Sequence, residues 1–223
     1  MDVTNISRCY LFNSIGENEL SDLLSKVEVK ETLFAKDEIL AMQDEPCNRL
    51  IILTEGGVKA EMTDPSGKVV KVEDIYAPNP LAILFLFGAK NLFPVQVTAL
   101  EQVKALIIPK KSVLKILGMN EQLLKNYLDI SANFASRLSD KLYLMSFRTI
   151  RQKLITYLLN LPHNNNTIIL DRSQQAISEY FGVSRPSLSR ELANMAKDNL
   201  ISIDRKQIRI IDRDRLIQLT KFQ

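Results

Sequence analysis

The chain has very little cysteine or histidine, the residues of thiolate and imidazole metal centres. Only two of its 223 residues are cysteine, Cys9 and Cys47, and one is histidine, His163. Two cysteines cannot make a disulfide framework, neither stands in a CxxC spacing, and an iron–sulfur cluster held by four of them within one chain is excluded. The lone histidine, in the polar run LPHNNNT, leaves no multi-histidine metal site and no Ser-His-Asp arrangement in the core. No nucleophile–base pair or paired carboxylates emerge either, so an enzyme is not expected. Long apolar runs are missing too. The longest, LAILFLFG at 81 to 88, is far too short to span a bilayer, and the start MDVTNISRCYLF lacks a basic segment followed by an apolar one. The expectation is a cytoplasmic chain with no membrane partner and no metal site.

What is present is enough apolar sequence for a substantial core, 46% of residues against 25% charged. The net charge of +3 hides an asymmetry. From Arg148 onward there are 13 Lys and Arg against 7 Asp and Glu, and before it 16 against 19. A basic surplus in the last third suggests a polyanion partner for that part.

A short helix is predicted at 17 to 25. From 27 to 108 the chain is punctuated by turn signals between short β-prone runs: RLIILTEGGVKAEM with alternating apolar positions around a glycine pair, the hairpin TDPSGKVVKVEDI, and FPVQVTALEQVKALIIP. Such spacing implies a sandwich or barrel. From 120 to 147 runs a long helix free of proline. Leu124, Leu128, Ser131, Ala135, Leu138, Leu142 and Met145 follow one another at intervals of 4 and 3, a heptad seam. Leu123, Tyr127, Ile130 and Phe134 make a second stripe. Two apolar faces need two neighbours: the β domain for one, the same helix of a second subunit for the other. A single broad face buried within a monomer is the competing reading.

The segment RSQQAISEYFGVSRPSLSRELANMAKDNLI offers Ser173 as N-cap, a first helix with Ala176, Ile177 and Tyr180 inward, and Gly182 at a positive-φ turn. Ser184 then caps a second helix whose buried side is Leu188, Leu192 and Met195. LISIDRKQIRIID reads as a two-stranded wing with Arg205 and Lys206 at its tip. This is a winged helix-turn-helix layout, with an ordinary helical hairpin as the alternative. A second helix seated in the major groove would present Arg185, Pro186, Ser187, Ser189 and Arg190. Arg190 suits a bidentate contact to guanine, Arg185 a base or a phosphate, and Ser187 and Ser189 phosphates or adaptable base contacts. Pro186 fits the first helical turn, where its missing N–H costs nothing, and offers a base only apolar contact.

The order of parts resembles the Crp/Fnr family of bacterial transcription regulators: an N-terminal β-roll, a long dimerisation helix and a C-terminal winged helix-turn-helix, with GVSRPSLSRELANMAKDNLIS in the family's recognition spacing. The resemblance implies that the family's base-reading acid falls on Pro186 and its reading arginine on Arg190, so the acid is lost and the arginine kept. In cyclic-nucleotide members a Gly-Glu pair and an Arg-Ser or Arg-Thr pair hold ribose and phosphate. Here those positions are Ala82 and Ile83, then Phe93 and Pro94, and cyclic AMP is not expected. The run FLFG…NLFPVQVTA is similar to the nitric-oxide-responsive branch containing DNR and HcpR, which implies haem as a candidate cofactor with Met145, Met42 or a cysteine as axial ligand. The effector pocket would be lined by Leu81, Ala82, Ile83, Phe85, Phe87, Phe93 and Pro94, together with Leu86 and Leu92; the other reading is a core that closed when nucleotide binding was lost.

The fold expected is therefore α+β: an N-terminal β-roll of the cyclic-nucleotide-binding jelly-roll type (1–119), a long dimerisation helix (120–147) and a winged helix-turn-helix DNA-binding domain (148–223), with a hinge near Met145 to Thr149. The function expected is a homodimeric regulator on palindromic double-stranded DNA with RNA polymerase as a partner. The rival is a small-molecule-binding protein whose C-terminal domain mediates protein contacts.

Overall fold

The computed structural model describes residues 3–164, 166–205 and 207–221. Contacts divide the chain into two compact units, Met1–Asn133 and Phe134–Gln223. No helix among the described residues is long and apolar enough to cross a membrane.

The first unit holds two four-stranded antiparallel sheets. One has the order β1-β8-β3-β6, from β1 (Lys30–Phe34), β8 (Val103–Pro109), β3 (Arg49–Glu55) and β6 (Asn79–Leu81). The other runs β2-β7-β4-β5, from β2 (Ile39–Ala41), β7 (Gln96–Ala99), β4 (Gly57–Thr63) and β5 (Val69–Tyr76). Helices α1 (Glu17–Ser25) and α2 (Lys110–Met119) flank the strands. Strand β3 departs from the alternation its sequence suggests: Leu50, Ile51, Ile52, Leu53 and Thr54 are all buried. The reason is cover on both faces, since α2 packs on β3 and β8 while the opposite face joins the core.

Turn chemistry sets the register. Between β4 and β5, the Oδ1 of Asp64 accepts from the backbone N–H of Ser66 (2.8 Å), the Ser66 hydroxyl (2.5 Å) and the Lys68 N–H (3.0 Å). These donors, the Ser66 hydroxyl first, hold its carboxyl below the usual carboxylate range. Strand β5 then pairs with β4 from Gly57↔Tyr76 to Thr63↔Val69, with one irregularity at Ala60/Glu61.

Helix α3 (Glu121–Ser146) begins on this unit. Leu123 is buried in the β core, and Tyr127 and Ile130 pack against it; Phe134, expected on the same stripe, is exposed. A polar residue anchors the helix. The buried Asn126 donates through Nδ2 to the carbonyls of Leu11 (2.9 Å) and Asn13 (2.8 Å) and accepts from Gln122 at Oδ1 (2.8 Å). Asn126→Ala strips two sheltered carbonyls of their donor and is expected to cost about 2 kcal/mol in urea denaturation. An unchanged midpoint would show that water replaces the amide.

The second unit is built on α4 (Ile150–Asn160), α5 (Gln174–Phe181), α6 (Arg185–Lys197), α7 (Arg213–Lys221) and a sheet of order β11-β12-β10-β9. Its strands are β9 (His163–Asn164), β10 (Thr167–Ile169), β11 (Ile201–Asp204) and β12 (Gln207–Ile210). Where the asparagine-rich run reads as a plain turn, His163 and Asn164 pair with Ile168 and Thr167. The core gathers Leu154, Ile155, Leu158, Ile177, Phe181, Leu188, Leu192 and Met195 around the sheet residues Ile168, Ile208 and Ile210.

Candidate nucleic-acid interface

Local signals fix the two helices that carry the site. The Ser173 hydroxyl accepts from the Ala176 N–H (3.2 Å) and starts α5. Gly182, at φ +67°, stops it: the Gly182 N–H donates to Glu179 (3.1 Å) and the Val183 N–H to Ser178 (3.0 Å), the paired bonds of a Schellman end. Ser184 then caps α6 by accepting from the Ser187 N–H (3.3 Å), with Pro186 in the first turn. The buried sides are Ile177, Ser178 and Phe181 on α5 and Leu188, Leu192 and Met195 on α6; Ala176 and Tyr180, expected inward, are half-buried.

On the opposite side of α6, Arg185, Pro186 and Arg190 are exposed. Neither arginine makes a hydrogen bond or ion pair with the described residues. The two serines differ. The Ser187 hydroxyl lies 2.8 Å from that of Ser184, and the Ser189 hydroxyl donates to Gln174 Oε1 (2.9 Å), so both are engaged within the domain. At the wing, β11 and β12 pair from Ile201↔Ile210 to Asp204↔Gln207, leaving Arg205 exposed in the turn at φ +53°. Lys206, expected beside it, lies outside the described residues.

Two contributors were not visible in the residue pattern. Arg151 on α4 donates from Nε to Glu191 (2.5 Å) and from Nη1 to Asp198 (2.8 Å), tying α4 to α6 and its C-cap. Gln174, the partner of Ser189, is the other. Both pairings cross between elements, 40 and 15 residues apart for the first bond of each, where no helical or strand period points.

The seam of α3 is open in the single chain. Leu124, Leu128, Leu138, Leu142 and Met145 are all exposed, Leu138 at 49% and Met145 at 62%. Ala135 is exposed and Ser131 half-buried, its hydroxyl donating to the Tyr127 carbonyl (3.0 Å). The helix ends at Ser146 and α4 begins at Ile150, capped by Thr149.

In the segment expected to form the effector pocket, Leu81, Ile83, Leu86 and Phe93 are buried in the β core, with Ala82, Phe85 and Phe87 packed against it and Leu92 and Pro94 half-buried. Ala82 adopts φ +49°, a left-handed conformation that suits glycine better. The side chains of Ala82, Ile83, Phe93 and Pro94 offer no charge and no donor to a cyclic phosphate. Arg49 lies over the Phe93 ring at 5.3 Å, but its Nη2 is held by the Leu40 carbonyl (3.0 Å) and Glu45 (2.6 Å). These residues do not fit a cyclic nucleotide.

Phe87 also lines an apolar pocket of about 360 Å³ with Leu114, Leu117, Gly118, Leu124, Tyr127 and Leu128. Neither sulfur nor imidazole faces it, which leaves haem without an axial ligand there. Met42 and Met145 are exposed, and Cys9 and Cys47 are buried in the β core. Burial pushes the Cys9 thiol up to about 11 and raises that of Cys47 as well. Among the described residues no group of three or more His, Cys, Asp or Glu could hold a metal ion.

Comparison with known proteins gives the same two parts. Residues 31–120 match the cyclic nucleotide-binding domain and residues 152–219 the Crp-like helix-turn-helix domain. The CRP-like cAMP-activated global transcriptional regulator of Mycobacterium tuberculosis is 21% identical, over 95% of this chain and 96% of that one. A transcriptional regulator from Thermotoga maritima is 33% identical with a TM-score of 0.52, covering 57% of this chain and 97% of that one. The catabolite activator protein of Thermus thermophilus, 16% identical, shares the fold with a TM-score of 0.56 over 95% of this chain and 98% of its own. With a domain of the cyclic nucleotide-binding type, a long helix and a Crp-like helix-turn-helix in that order, the chain belongs to the Crp/Fnr family of DNA-binding transcription regulators.

Proposed function

We propose that the protein acts as a homodimer on palindromic promoter sites, with residues 1–119 as sensor, 120–147 as dimerisation helix and 148–223 as DNA-binding domain. The observation that carries this reading is the pair of exposed, unengaged arginines, Arg185 and Arg190, on a helix held rigidly from behind by its buried face. Such a helix places its first turns against base edges, and a two-fold dimer places two of them about 34–36 Å apart. Arg190 donates two hydrogen bonds to one guanine, and Arg185 supports it at a base or phosphate. Pro186 replaces an acidic reader with an apolar surface, so the operator differs from those of relatives that keep the acid. Arg205 at the wing is a further backbone contact, as is Ser173 at the start of α5, and Lys206, outside the described residues, is assigned to the same group.

The effector is not a cyclic nucleotide on this reading, because the side chains of Ala82, Ile83, Phe93 and Pro94 offer a phosphate no charge and no donor, and Ile83 and Phe93 are buried in the β core. An effector bound at the β-roll would shift the balance between dimer arrangements that do and do not present both helices, with the flexion between Ser146 and Ile150. Contact with RNA polymerase would follow at the promoter.

Selection of bound duplexes from a random pool, with cAMP, haem and nitric oxide each added in turn, tests the reading. A palindromic consensus is expected, unaffected by cAMP. Arg190→Ala is expected to cost about 1–3 kcal/mol on that consensus and to relax the preference at one base pair. An equal loss on consensus and unrelated DNA would remove Arg190 as a base reader. Binding to no duplex at all would favour the rival, a ligand-binding protein whose C-terminal domain contacts proteins.

A further inference from the structure

The Ser189–Gln174 bond assigns a role to a residue that the residue pattern leaves unmarked. Ser189 lies one turn beyond Arg185 and next to Arg190 on α6, where a free hydroxyl would be expected to reach the DNA. Instead its Oγ donates to Oε1 of Gln174, the first residue of α5, at 2.9 Å, and both side chains are half-buried. The hydroxyl therefore faces the neighbouring helix. With Oε1 occupied, the two hydrogens of Gln174 Nε2 have no partner among the described residues.

We infer that Gln174 is a DNA-backbone contact, donating from Nε2 to a phosphate oxygen, and that Ser189 is the positioning residue that holds its amide in the donating orientation. This rests on α6 being the reading helix. An amide can turn either end outward, and a hydroxyl can serve either end as donor or acceptor. Next to a phosphate only the N–H end is attractive. In the structure the Ser189 hydroxyl donates to Oε1 and leaves the N–H end for the phosphate, so the side chain is already restrained and less rotamer freedom is lost on binding. Because Gln174 belongs to the first helix of the motif, which crosses the backbone while the second enters the groove, the contact carries no sequence information.

A neutral donor leaves a signature that the arginines cannot. Each Lys or Arg set against a phosphate releases counterions and steepens the fall of affinity with salt, whereas an amide adds affinity and no slope.

The test uses the full-length protein and two duplexes of equal length, the sequence selected from the random pool and a scrambled version, each titrated from low to high salt. Gln174→Ala is expected to weaken binding to both duplexes by the same factor, roughly three- to tenfold, with the salt slope unchanged. Ser189→Ala is expected to lose much of that factor, and the double variant to be no weaker than Gln174→Ala alone, since the two act as one unit. Gln174→Lys is expected to tighten both duplexes and to steepen the slope by about 0.9 for each added phosphate contact. If Gln174→Ala and Gln174→Lys leave both duplexes unaffected, the assignment is wrong. If Ser189→Ala instead changes the preference at one base pair and spares the scrambled duplex, Ser189 reads a base and the positioning role falls. Wild-type protein that binds neither duplex overturns the reading of α6 itself, a failure plainly distinct from the other two.

Discussion

Gly56→Ala is expected to destabilise the β-roll by on the order of 3–4 kcal/mol, measured by urea denaturation followed by circular dichroism. Gly56 joins β3 to β4 at φ +81°, where an L side chain is strained. A Cβ there would stand 2.5 Å from the carbonyl oxygen of Gln102 and 3.2 Å from the Cα of Val103, at the start of β8. Both are backbone atoms, so no side-chain rotation relieves them, and the turn or the end of β8 has to move. The smaller unfolded-state entropy of alanine returns only about 0.5–1 kcal/mol of this. Gly57 supplies the control. Its added Cβ would meet the ring of Tyr76 at 2.5 Å, but Tyr76 is exposed and can swing away. Gly57→Ala should therefore cost much less than its neighbour, and equal losses would show that φ and the Gln102 contact do not decide the matter. The Gly56 carbonyl also accepts from the Ala77 N–H (3.0 Å), so a shifted turn disturbs the chain just before β6 and the Ala82–Phe93 segment.

The glycine pair shows how far residue pattern alone reaches. It marks a turn, but the reason Gly56→Ala is expected to cost more than Gly57→Ala lies partly in Gln102 and Val103, far along the chain. The same division recurs elsewhere. The heptad spacing from Leu124 to Met145 and the sequence of caps from Ser173 through Gly182 to Ser184 are local signals, and α3, α5 and α6 form where those signals put them. Burial on both faces of β3 was not legible, because it depends on α2 arriving from outside the strand. The inward turn of Ser189, the Arg151 bridge to Glu191 and Asp198, and the anchoring of α3 by Asn126 all need a partner from another element. In the 81–94 segment, sequence could set an apolar pocket against a closed core; packing places Leu81, Ile83, Leu86 and Phe93 in the core, while Phe87 lines an apolar pocket.

Leu138→Glu is expected to turn a dimer into a monomer in sedimentation velocity. The stretch of α3 from 132 to 143 is exposed at every position, yet it carries Ala135, Leu138 and Leu142 in register with Leu124, Leu128 and Met145. Such a seam has no cover among the described residues, and in the proposed dimer it would pair with its own copy, each leucine then burying apolar surface worth roughly 1.5–3 kcal/mol. In a two-fold pair every substitution occurs twice and the two copies meet near the axis. Leu138→Glu thus removes two leucines from the seam and sets two carboxylates facing each other. Together these should cost about 5 kcal/mol, a factor of 10³–10⁴ in the dimer dissociation constant. The folded protomer should be unharmed, since Leu138 is already exposed and glutamate is a good helix former. Its monomer would retain one reading helix with Arg185 and Arg190 intact, so binding to unrelated DNA should fall less than binding to a palindrome, which loses the second half-site. A dimer that persists at micromolar concentration would place the interface elsewhere and leave the exposed seam to be covered within one chain.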